Sequence, residues 1–300
     1  MRAIQVDEHG GPEVLRLVDV PRPEPVPTEV LVRVHASGIN PADWKTRSGR
    51  GLPRELPYIP GWDVSGVVAE VGYGVTRFAP GDEVFGMLWF PRPGRAYAEY
   101  VTAPSRQFAH KPLSLSHSEA AGLPLVGLTA WQALVTIANV QPGQRVFVQA
   151  AAGGVGHVAV QIAKARGAYV LGTASAAKHD LLRSLGVDEP IDYTATDFAA
   201  GIEPVDVLFD LLSAERHAGL VRPGGHLIGD PAGLAVRTDV HVSGVLVEPD
   251  RADLESLAAL VDDGRLRVLI DREFDAADAP KAEALGEAGR TSGKLVLRWS

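Results

Sequence analysis

Residues 149–159 read Gln149-Ala150-Ala151-Ala152-Gly153-Gly154-Val155-Gly156-His157-Val158-Ala159, a glycine-rich turn between a predicted strand and a predicted helix. Compared with the G-x-G-x-x-G pattern of dinucleotide-binding turns, Ala151 occupies the first special position, and Gly153 and Gly156 the other two. Gly153 would let the backbone approach a pyrophosphate, whose charge the N–H groups and dipole of the following helix would stabilise. The turn predicts a dinucleotide site; the alternative is an ordinary tight turn between strand and helix.

The segments around this turn alternate between apolar strands and helices. Strands are predicted at Arg145 to Gln149, Tyr169 to Thr173, Val205 to Phe209 and His226 to Ile228, and helices at Val155 to Arg166 and Ala177 to Leu185. Such alternation is typical of a parallel, doubly wound sheet with helices on its faces. An α/β domain is therefore predicted from about Leu123 onward.

The part of the chain before this domain has a different composition. Of the 22 prolines, 14 precede residue 116. Residues 30–35 alternate valine with other side chains, and Trp62 to Val71 and Tyr97 to Val101 are rich in β-branched and aromatic residues. One helical turn is predicted from Pro41 to Arg47. These short strands between Pro/Gly turns predict an irregular β-barrel-like domain.

Composition and charge exclude several classes of function. The chain carries 37 acidic and 29 basic residues, a net charge of −8, and its Lys and Arg residues are scattered. This distribution argues against nucleic acid as a partner. The absence of cysteine excludes disulfides, thiolate nucleophiles and zinc sites built on thiolates. None of the nine histidines stands in an H-x-x-x-H or H-x-H arrangement, so no metal site is predicted.

One uncharged stretch is long enough to suggest a membrane span. Ala120 to Gln144 has no charged residue over 25 positions, but Pro124, Gly127 and the Pro142-Gly143 turn interrupt it. A buried segment of an α/β core is the better interpretation, and no membrane partner is predicted. Because Asp7 and Glu8 precede any apolar run, a signal or transit peptide is not expected, and we predict a cytoplasmic protein.

The choice of cofactor should depend on the end of the strand after the turn. Residues 171–178 contain no carboxylate that would accept hydrogen bonds from an NAD ribose, and the first acid is Asp180. Lys178 could place a positive charge on a 2′-phosphate, and Ser175 a hydroxyl. The segment therefore favours NADPH, although a lone lysine in a first helical turn is commonly only a solvated residue.

Several segments resemble those of the medium-chain dehydrogenases/reductases, and within that family the zinc-independent quinone oxidoreductase branch. The resemblance covers nearly the whole chain. The segments that carry it are residues 38–45, 60–68, 80–86, 127–131 and 153–156, together with Arg222-Pro223-Gly224-Gly225 and the tail segment Thr291-Ser292-Gly293-Lys294-Leu295-Val296-Leu297. Relatives that use zinc carry Gly-His-Glu where this chain has Gly61-Trp62-Asp63, so the resemblance implies that no zinc is bound.

The resemblance implies a fold of class α/β with two domains. A GroES-like irregular β-barrel domain would occupy residues 1–118, and a doubly wound parallel-sheet Rossmann domain residues 119–265. The residues of the tail themselves predict strands at Arg267 to Ile270 and Lys294 to Trp299 flanking a helix at Ala276 to Ala288, which could close the parallel sheet or return to the first domain. The resemblance implies that residues 266–300 return to the first domain. Homodimers are common in this branch, so a homodimer is expected.

The same resemblance suggests which residues hold the cofactor. Gly153, Gly154, Val155 and Gly156 match the pyrophosphate turn. Ser175, Lys178 and Tyr193 match positions around the 2′-phosphate of NADPH, whereas Thr129 and, by fold analogy, Val245 should lie near its nicotinamide half. Tyr193 has an alternative interpretation as a packing residue at a strand end.

Asn40, Asp43 and Lys45 are the candidate catalytic residues. Asn40 and Asp43 match residues that line the cleft beside the nicotinamide, and Asn40 or Lys45 could donate a hydrogen bond to the acceptor oxygen. Asn40 could instead be a turn residue before Pro41, and Asp43 a first-turn carboxylate that complements the helix dipole.

The predicted function is hydride transfer from NADPH to a quinone or another conjugated carbonyl acceptor without a catalytic metal. An activated acceptor suits such a site because its reduced form is a stabilised anion, whereas an unactivated ketone would need a Lewis acid. Two alternatives stay open: a reductase of enoyl-thioester or alkenal double bonds, and a nucleotide-binding protein without turnover that has a structural or sensing role.

Overall fold

The computed structural model of the chain describes residues 1–195, 199, 201–230 and 237–299, the side chain of Glu215 excepted. The chain forms two compact units. The first comprises residues 1–128, 248–263 and 268–300, and the second residues 129–247 and 264–267. The boundaries predicted from the sequence stay a prediction.

The first unit is built on strands that are mostly antiparallel. In chain order its strands are β1 Arg2–Val6, β2 Leu15–Asp19, β3 Glu29–Ile39, β4 Asp63–Val71, β5 Glu83–Met87, β6 Tyr100–Pro104, β7 Phe108–His110, β14 Ile270–Asp275 and β15 Lys294–Arg298. Its helices are α1 Pro41–Arg47, α2 His117–Ala121, α7 Arg251–Asp262 and α8 Ala279–Glu287. Strands β1 and β2 pair with each other, and the larger sheet runs β14-β15-β3-β4-β5-β7, with β6 also paired to β3.

Strand β3 is the centre of this sheet. Val30, Val32 and Val34 are buried in the core, as their alternation in the sequence predicts. The register between β3 and β4 shifts twice. At Gly66 of β4 a Cβ atom would lie 2.0 Å from the Arg33 carbonyl oxygen, so only glycine allows the two strands to approach there.

The end of the chain joins the first unit. β15 pairs antiparallel with β3 from Leu295↔Ile39 onward, and β14 lies parallel to β15. The strand predicted at Arg267 to Ile270 was placed too early, since β14 begins only at Ile270. The backbone N–H of Arg267 donates instead to Gln161 Oε1 at 3.0 Å, so this residue has no ladder partner.

The second unit contains a parallel sheet. Its strands are β8 Arg145–Val148, β9 Tyr169–Ala174, β10 Glu189–Asp192, β11 Val205–Asp210, β12 Val221–Gly229 and β13 His241–Gly244, and its helices include α4 Gly156–Ala165, α5 His179–Ser184 and α6 Ala214–His217. In the described part of the chain the strand order is β10-β9-β8-β11-β12-β13, with every pairing parallel. This is the 3-2-1-4-5-6 order of a doubly wound fold, so the predicted fold class is confirmed.

The uncharged stretch from residue 120 to 144 is helical over much of its length. Helix α3, Pro124–Trp131, continues directly into a π-helical segment, Gln132–Ile137. Among the described residues, no helix has the length and apolar character needed to cross a bilayer.

Candidate functional site

The glycine-rich turn joins β8 to α4 at the carboxyl end of the parallel sheet. Ala151 N–H donates to the Thr173 carbonyl oxygen at 2.8 Å, and Ala150 N–H donates to Thr173 Oγ1 at 2.9 Å. Ala150 itself has a φ of +51°, a left-handed conformation that is uncommon outside glycine. These two bonds to β9 fix the turn in place.

The glycines of the turn have different roles. A Cβ atom at Gly156 would lie 2.2 Å from the Ala150 oxygen, so glycine is required there by close packing between helix and turn. At Gly153 a Cβ atom would lie 3.1 Å from the same Ala150 oxygen, a tight contact that the turn would accept only with a shift of a few tenths of an ångström. Ala151 replaces the first glycine of the pattern, and Gly172 faces it: a Cβ at Gly172 would lie 2.8 Å from that of Ala151.

Three consecutive backbone donors at the start of α4 have no acceptor in the described part of the chain. They are the N–H groups of Gly154, Val155 and Gly156, and Val155 receives no side-chain capping bond. Helix termini leave such donors unsatisfied unless a side chain, water or ligand accepts from them. Because Gly153 also has no side chain that would stand between the backbone and a ligand, these donors fit a pyrophosphate, and the predicted turn residues are therefore suited to a dinucleotide.

The residues predicted to hold the 2′-phosphate lie at the ends of two neighbouring strands. Ala174 and Asp192 are opposite each other in the register of β9 and β10, and Ser175 and Tyr193 follow them directly. Lys178 lies one short turn further on, with its N–H donating to the Ser175 carbonyl oxygen at 2.9 Å. The structure therefore brings Ser175 and Tyr193 to one edge of the sheet, with Lys178 nearby, and Tyr193 is more than half exposed.

A carboxylate at this edge was missed in the sequence because the strand β10 and its register were not predicted. Asp192 accepts hydrogen bonds from Thr194 N–H at 2.9 Å and from Thr194 Oγ1 at 2.7 Å. These bonds lower the pKa of Asp192, so the group stays ionised. Its hydrogen bonds direct the carboxylate to the turn of residues 192–194.

The two residues predicted for the nicotinamide half are placed differently. Val245 follows the carboxyl end of β13 and donates its N–H to the Gly229 oxygen at 3.0 Å, on the same edge as the glycine-rich turn. Thr129 is buried on α3.

The sequence analysis also missed a pair of side chains at the end of β11. Buried Asp210 lies 2.9 Å from His217 Nδ1 and also accepts hydrogen bonds from the N–H groups of Leu212 and Ser213.

In the first unit, Asn40 and Asp43 are close together at the start of α1 and fully buried. Asn40 N–H donates to Asp43 Oδ2 at 2.7 Å, as expected of a residue that caps the helix. Asn40 Nδ2 donates to Asp63 Oδ2 at 2.9 Å, and Lys294 Nζ donates to Asn40 Oδ1 at 2.5 Å. The Asn40 side chain thus bridges two buried charged groups.

Burial changes the acid strength of this cluster. It raises the pKa of Asp63 to about 6, although Lys294 opposes the shift, and it lowers the pKa of Lys294. The pKa of Asp43 lies well above its usual range, first because of burial and then because of the nearby Glu283 charge. Asp43 Oδ1 is buried and has no hydrogen-bond partner in the described residues.

Asp43 also contacts a small cavity. Tyr97 donates from its hydroxyl to Asp43 Oδ2 at 3.2 Å, and Tyr58 lines the same small cavity as Asp43. The Tyr58 hydroxyl is also buried without a partner in the described residues. The raised pKa of Asp43 makes this carboxyl a candidate proton donor.

Two other features of α1 depart from the sequence prediction. Lys45 is exposed, on the side of the helix away from Asp43, so the structure does not bring it to Asn40 and Asp43. Arg47, which the sequence did not single out, is fully buried, with its Nε donating to Glu283 Oε2 at 2.6 Å and a second bond to Glu287. Burial raises the pKa of Glu283 to about 7, although Arg47 opposes that shift.

The sequence contains no local signal for most of this cluster. Lys294 lies in the tail segment that carries the family resemblance, but its partner Asn40 is 254 positions away. Within the described residues, no group of three or more His, Asp or Glu side chains is arranged to hold a metal ion.

Comparisons with known proteins identify both parts of the chain. Residues 26–113 match the family model described as "Alcohol dehydrogenase GroES-like domain", which confirms the predicted GroES-like domain. Residues 185–297 match the model described as "Zinc-binding dehydrogenase". The chain is 33% identical over 323 residues to the "Quinone-oxidoreductase QR1, chloroplastic" of Triphysaria versicolor, covering 99% of this chain and 98% of that protein.

Solved structures agree with these matches. The quinone oxidoreductase from Coxiella burnetii is 38% identical, with a TM-score of 0.94 and coverage of 100% of this chain and 99% of that chain. A mycobacterial protein solved in complex with NADPH is 31% identical, with a TM-score of 0.88 and full coverage of both chains. The CurK enoyl reductase is 28% identical, with a TM-score of 0.90 and coverage of 99% of this chain and 98% of that chain.

Proposed function

The chain belongs to the medium-chain dehydrogenase/reductase family, in its zinc-independent quinone oxidoreductase branch, and on this premise we propose that it transfers hydride from NADPH to a quinone or another conjugated carbonyl acceptor. It is an NAD(P)H-dependent oxidoreductase, as the sequence predicts.

The single observation that carries the proposal is the set of three N–H donors at Gly154, Val155 and Gly156 that have no acceptor in the described residues. These donors would hold the pyrophosphate of the dinucleotide, with the dipole of α4 adding to the attraction. When bound, the reduced nicotinamide supplies the hydride. The chain's own contribution is to hold the dinucleotide and to supply charge and protons near the acceptor.

The preference for NADPH over NADH rests on the edge formed by Ser175, Lys178 and Tyr193. An ammonium and hydroxyl groups at one strand end can donate to a 2′-phosphate. The mycobacterial relative solved with NADPH supports the same choice. Asp192 opposes it, but this carboxylate is held by Thr194.

Asp43 is the side chain of this cluster best suited to donate the proton that the reduced acceptor needs. Its carboxyl is buried, its pKa is raised, and Oδ1 is unpaired among the described residues. Asn40 holds the Asp43 carboxyl in position through its backbone N–H. Lys45, exposed on the same helix, would add positive charge at the surface.

The proposal is tested by following NADPH oxidation with two panels of acceptors, uncharged quinones and open-chain enones. We expect turnover with quinones and a lower rate for Asp43→Asn, with Asp262→Asn, exposed at the end of α7, as the control. Turnover of enones or enoyl thioesters alone would favour the second candidate function, double-bond reduction, which the CurK enoyl reductase neighbour supports. Tight NADPH binding without turnover in either panel would contradict both and indicate a nucleotide-binding protein without catalysis.

Two further predictions concern the protein's setting. The name of the Triphysaria relative places that protein in the chloroplast, and for this chain the cytoplasmic location stays a prediction. The homodimer also stays a prediction, which size-exclusion chromatography with light scattering tests directly.

A further inference from the structure

A groove in the first unit adjoins the small cavity of Asp43, with which it shares Ile59, Pro93 and Gly94. It encloses about 630 Å³ and is lined by segments around Val20–Pro23, Trp89–Arg95 and Tyr100–Thr102. Small-molecule sites commonly enclose roughly 300–1,000 Å³, so the groove has the size of a ligand site. Neither the glycine-rich turn nor the acid cluster around Asp43 contributes to its walls.

The groove is lined by arginines and by no acidic residue. Arg22 is paired with Glu70 at 2.7 Å, with its guanidinium 4.7 Å above the Tyr100 ring. Arg92 and Arg95 are exposed, and neither guanidinium has an ion-pair or hydrogen-bond partner in the described residues. On a chain with a net charge of −8, a concentration of unpaired positive charge in one cavity marks it as a place for an anion.

Aromatic side chains supply the other half of the groove. Trp89 is held at both ends, because its N–H donates to Gln107 Oε1 at 2.9 Å and its Nε1 to the Thr102 oxygen at 3.1 Å. Tyr100 presents its ring beside Arg22. A fixed indole and phenol face can stack on a flat apolar body with little loss of side-chain entropy.

The segment that carries these groups is rigidly held despite an unfavourable backbone. Trp89 and Arg95 have φ angles of +59° and +56°, a conformation that costs a non-glycine residue free energy. The Trp62 Nε1 donates to the Arg92 oxygen at 2.7 Å, and Arg92 N–H donates to the Trp89 oxygen at 2.7 Å. The backbone positions of Trp89, Arg92 and Arg95 in the wall of the groove are therefore fixed, and so is the indole of Trp89.

We propose that this groove binds a small organic anion: an aromatic or conjugated body that lies against Trp89 and Tyr100 and bears one anionic oxygen group held by Arg92 and Arg95. The guanidinium groups of two arginines can donate paired hydrogen bonds to a carboxylate, sulfonate or phosphate, and the aromatic walls of the groove suit a planar body. The binding of this anion does not depend on the proposed reductase function.

Calorimetric titration of the protein without nucleotide tests the proposal, with 2-naphthoate as the anionic probe and 2-naphthamide as its uncharged match. We expect the carboxylate to bind the wild type and the Arg92→Gln/Arg95→Gln double variant to lose affinity by roughly tenfold or more. The matched control is Arg50→Gln/Arg106→Gln, two exposed arginines outside the groove, which should leave the affinity unchanged. The proposal would be overturned if the wild type bound the amide as tightly as the carboxylate, if the double variant bound the carboxylate as tightly as the wild type, or if the wild type did not bind the carboxylate.

A second measurement separates the two sources from which such an anion could come. If 2-naphthoate competes with an uncharged quinone in turnover, the groove holds the anionic part of the enzyme's own acceptor. If it binds without competing, the groove belongs to a separate anionic ligand. Trp89→Leu should weaken naphthoate binding in either case, while circular dichroism verifies that each variant is folded. Because binding is measured without turnover, failure of the proposed function leaves this test intact.

Discussion

At the scale of single residues, two stacked histidines make the first unit sensitive to acid. The His35 and His117 rings lie 4.4 Å apart and nearly parallel. His117 Nδ1 is 2.8 Å from Ser65 Oγ, and its Nε2 is 3.4 Å from Glu83 Oε1. Burial, and then the neighbouring His35, lowers the pKa of His117 to about 4, although Glu83 opposes the shift.

This lowered pKa predicts the direction of a pH effect. A histidine in an unfolded chain has a pKa of about 6.5, so between that pH and 4 the unfolded state binds more protons than the folded one. His117 therefore contributes stability above pH 6.5 that is lost as the pH falls toward 4. We expect His117→Gln to flatten the decline of the melting temperature in this range. His110→Gln, at an exposed position, serves as the control, and an unchanged slope in the His117 variant would contradict the assignment.

Lys178 carries the prediction on cofactor choice. If its ammonium contacts the 2′-phosphate, Lys178→Ala should weaken NADPH binding by roughly 1–3 kcal/mol, the value of a charge-assisted hydrogen bond, and leave NADH binding unchanged. Fluorescence titration with both nucleotides measures the difference. Lys281→Ala, an exposed lysine in the first unit, is the matched control. Equal losses for NADPH and NADH would show that Lys178 acts on the fold and not on the phosphate.

At the scale of elements, the strand-turn-helix of residues 145–165 could be predicted because its determinants are local. The apolar run of β8, the glycines and the apolar face of α4 all lie within about twenty residues of one another.

The secondary structure of the uncharged stretch, residues 120–144, was predicted less well. Gly127 was expected to interrupt it, but it lies within helix α3, because a glycine in a buried helix is tolerated where neighbours pack closely. At Gly127 a Cβ would lie 2.8 Å from Leu257 Cδ1.

The glycines of the turn give a prediction at this scale. Gly156→Ala places a methyl group 2.2 Å from a backbone oxygen, and such overpacking should destabilise the protein by about 1–3 kcal/mol. The Cβ atom of Gly153→Val would lie 3.1 Å from the same oxygen, a milder contact, so this variant should lose less stability than Gly156→Ala yet lose affinity for NADPH. Thermal melts and nucleotide titration of the two variants separate the effects.

The control for this pair is Gly219→Ala, at a position where a Cβ has no neighbour within 4 Å. It should change neither the melting temperature nor the affinity for the nucleotide. Normal nucleotide affinity in a folded Gly153→Val variant would argue against the turn as the pyrophosphate site.

At the scale of the whole molecule, the sequence predicts the return of the tail to the first unit but not how the tail is fixed there. The residues predicted a strand at 294–299, the family resemblance implied its return to the first domain, and β15 pairs with β3. The ion pair of Arg47 with Glu283 spans 236 positions and is fully buried on both sides. No pattern in a single sequence reports such a contact, because neither residue's type nor its neighbours specify the distant partner. The same holds for Lys294 and Asn40.

The Lys294 contacts therefore carry the last prediction, on the stability of the first unit. Lys294 Nζ donates to the Ile39 oxygen at 2.6 Å and to Asn40 Oδ1, while Asn40 Nδ2 donates to Asp63. Lys294→Met leaves the buried Asp63 charge without its cation, a loss that should cost about 3–5 kcal/mol. Asp63→Asn alone leaves Lys294 without its anion and should also destabilise. The double variant removes both charges, so its loss should be smaller than the sum of the two single losses. Denaturant titration of the wild type, the two single variants and the double variant measures this coupling. Lys281→Met, at an exposed position, is the control. Strictly additive losses of stability would show that the two charges do not stabilise each other.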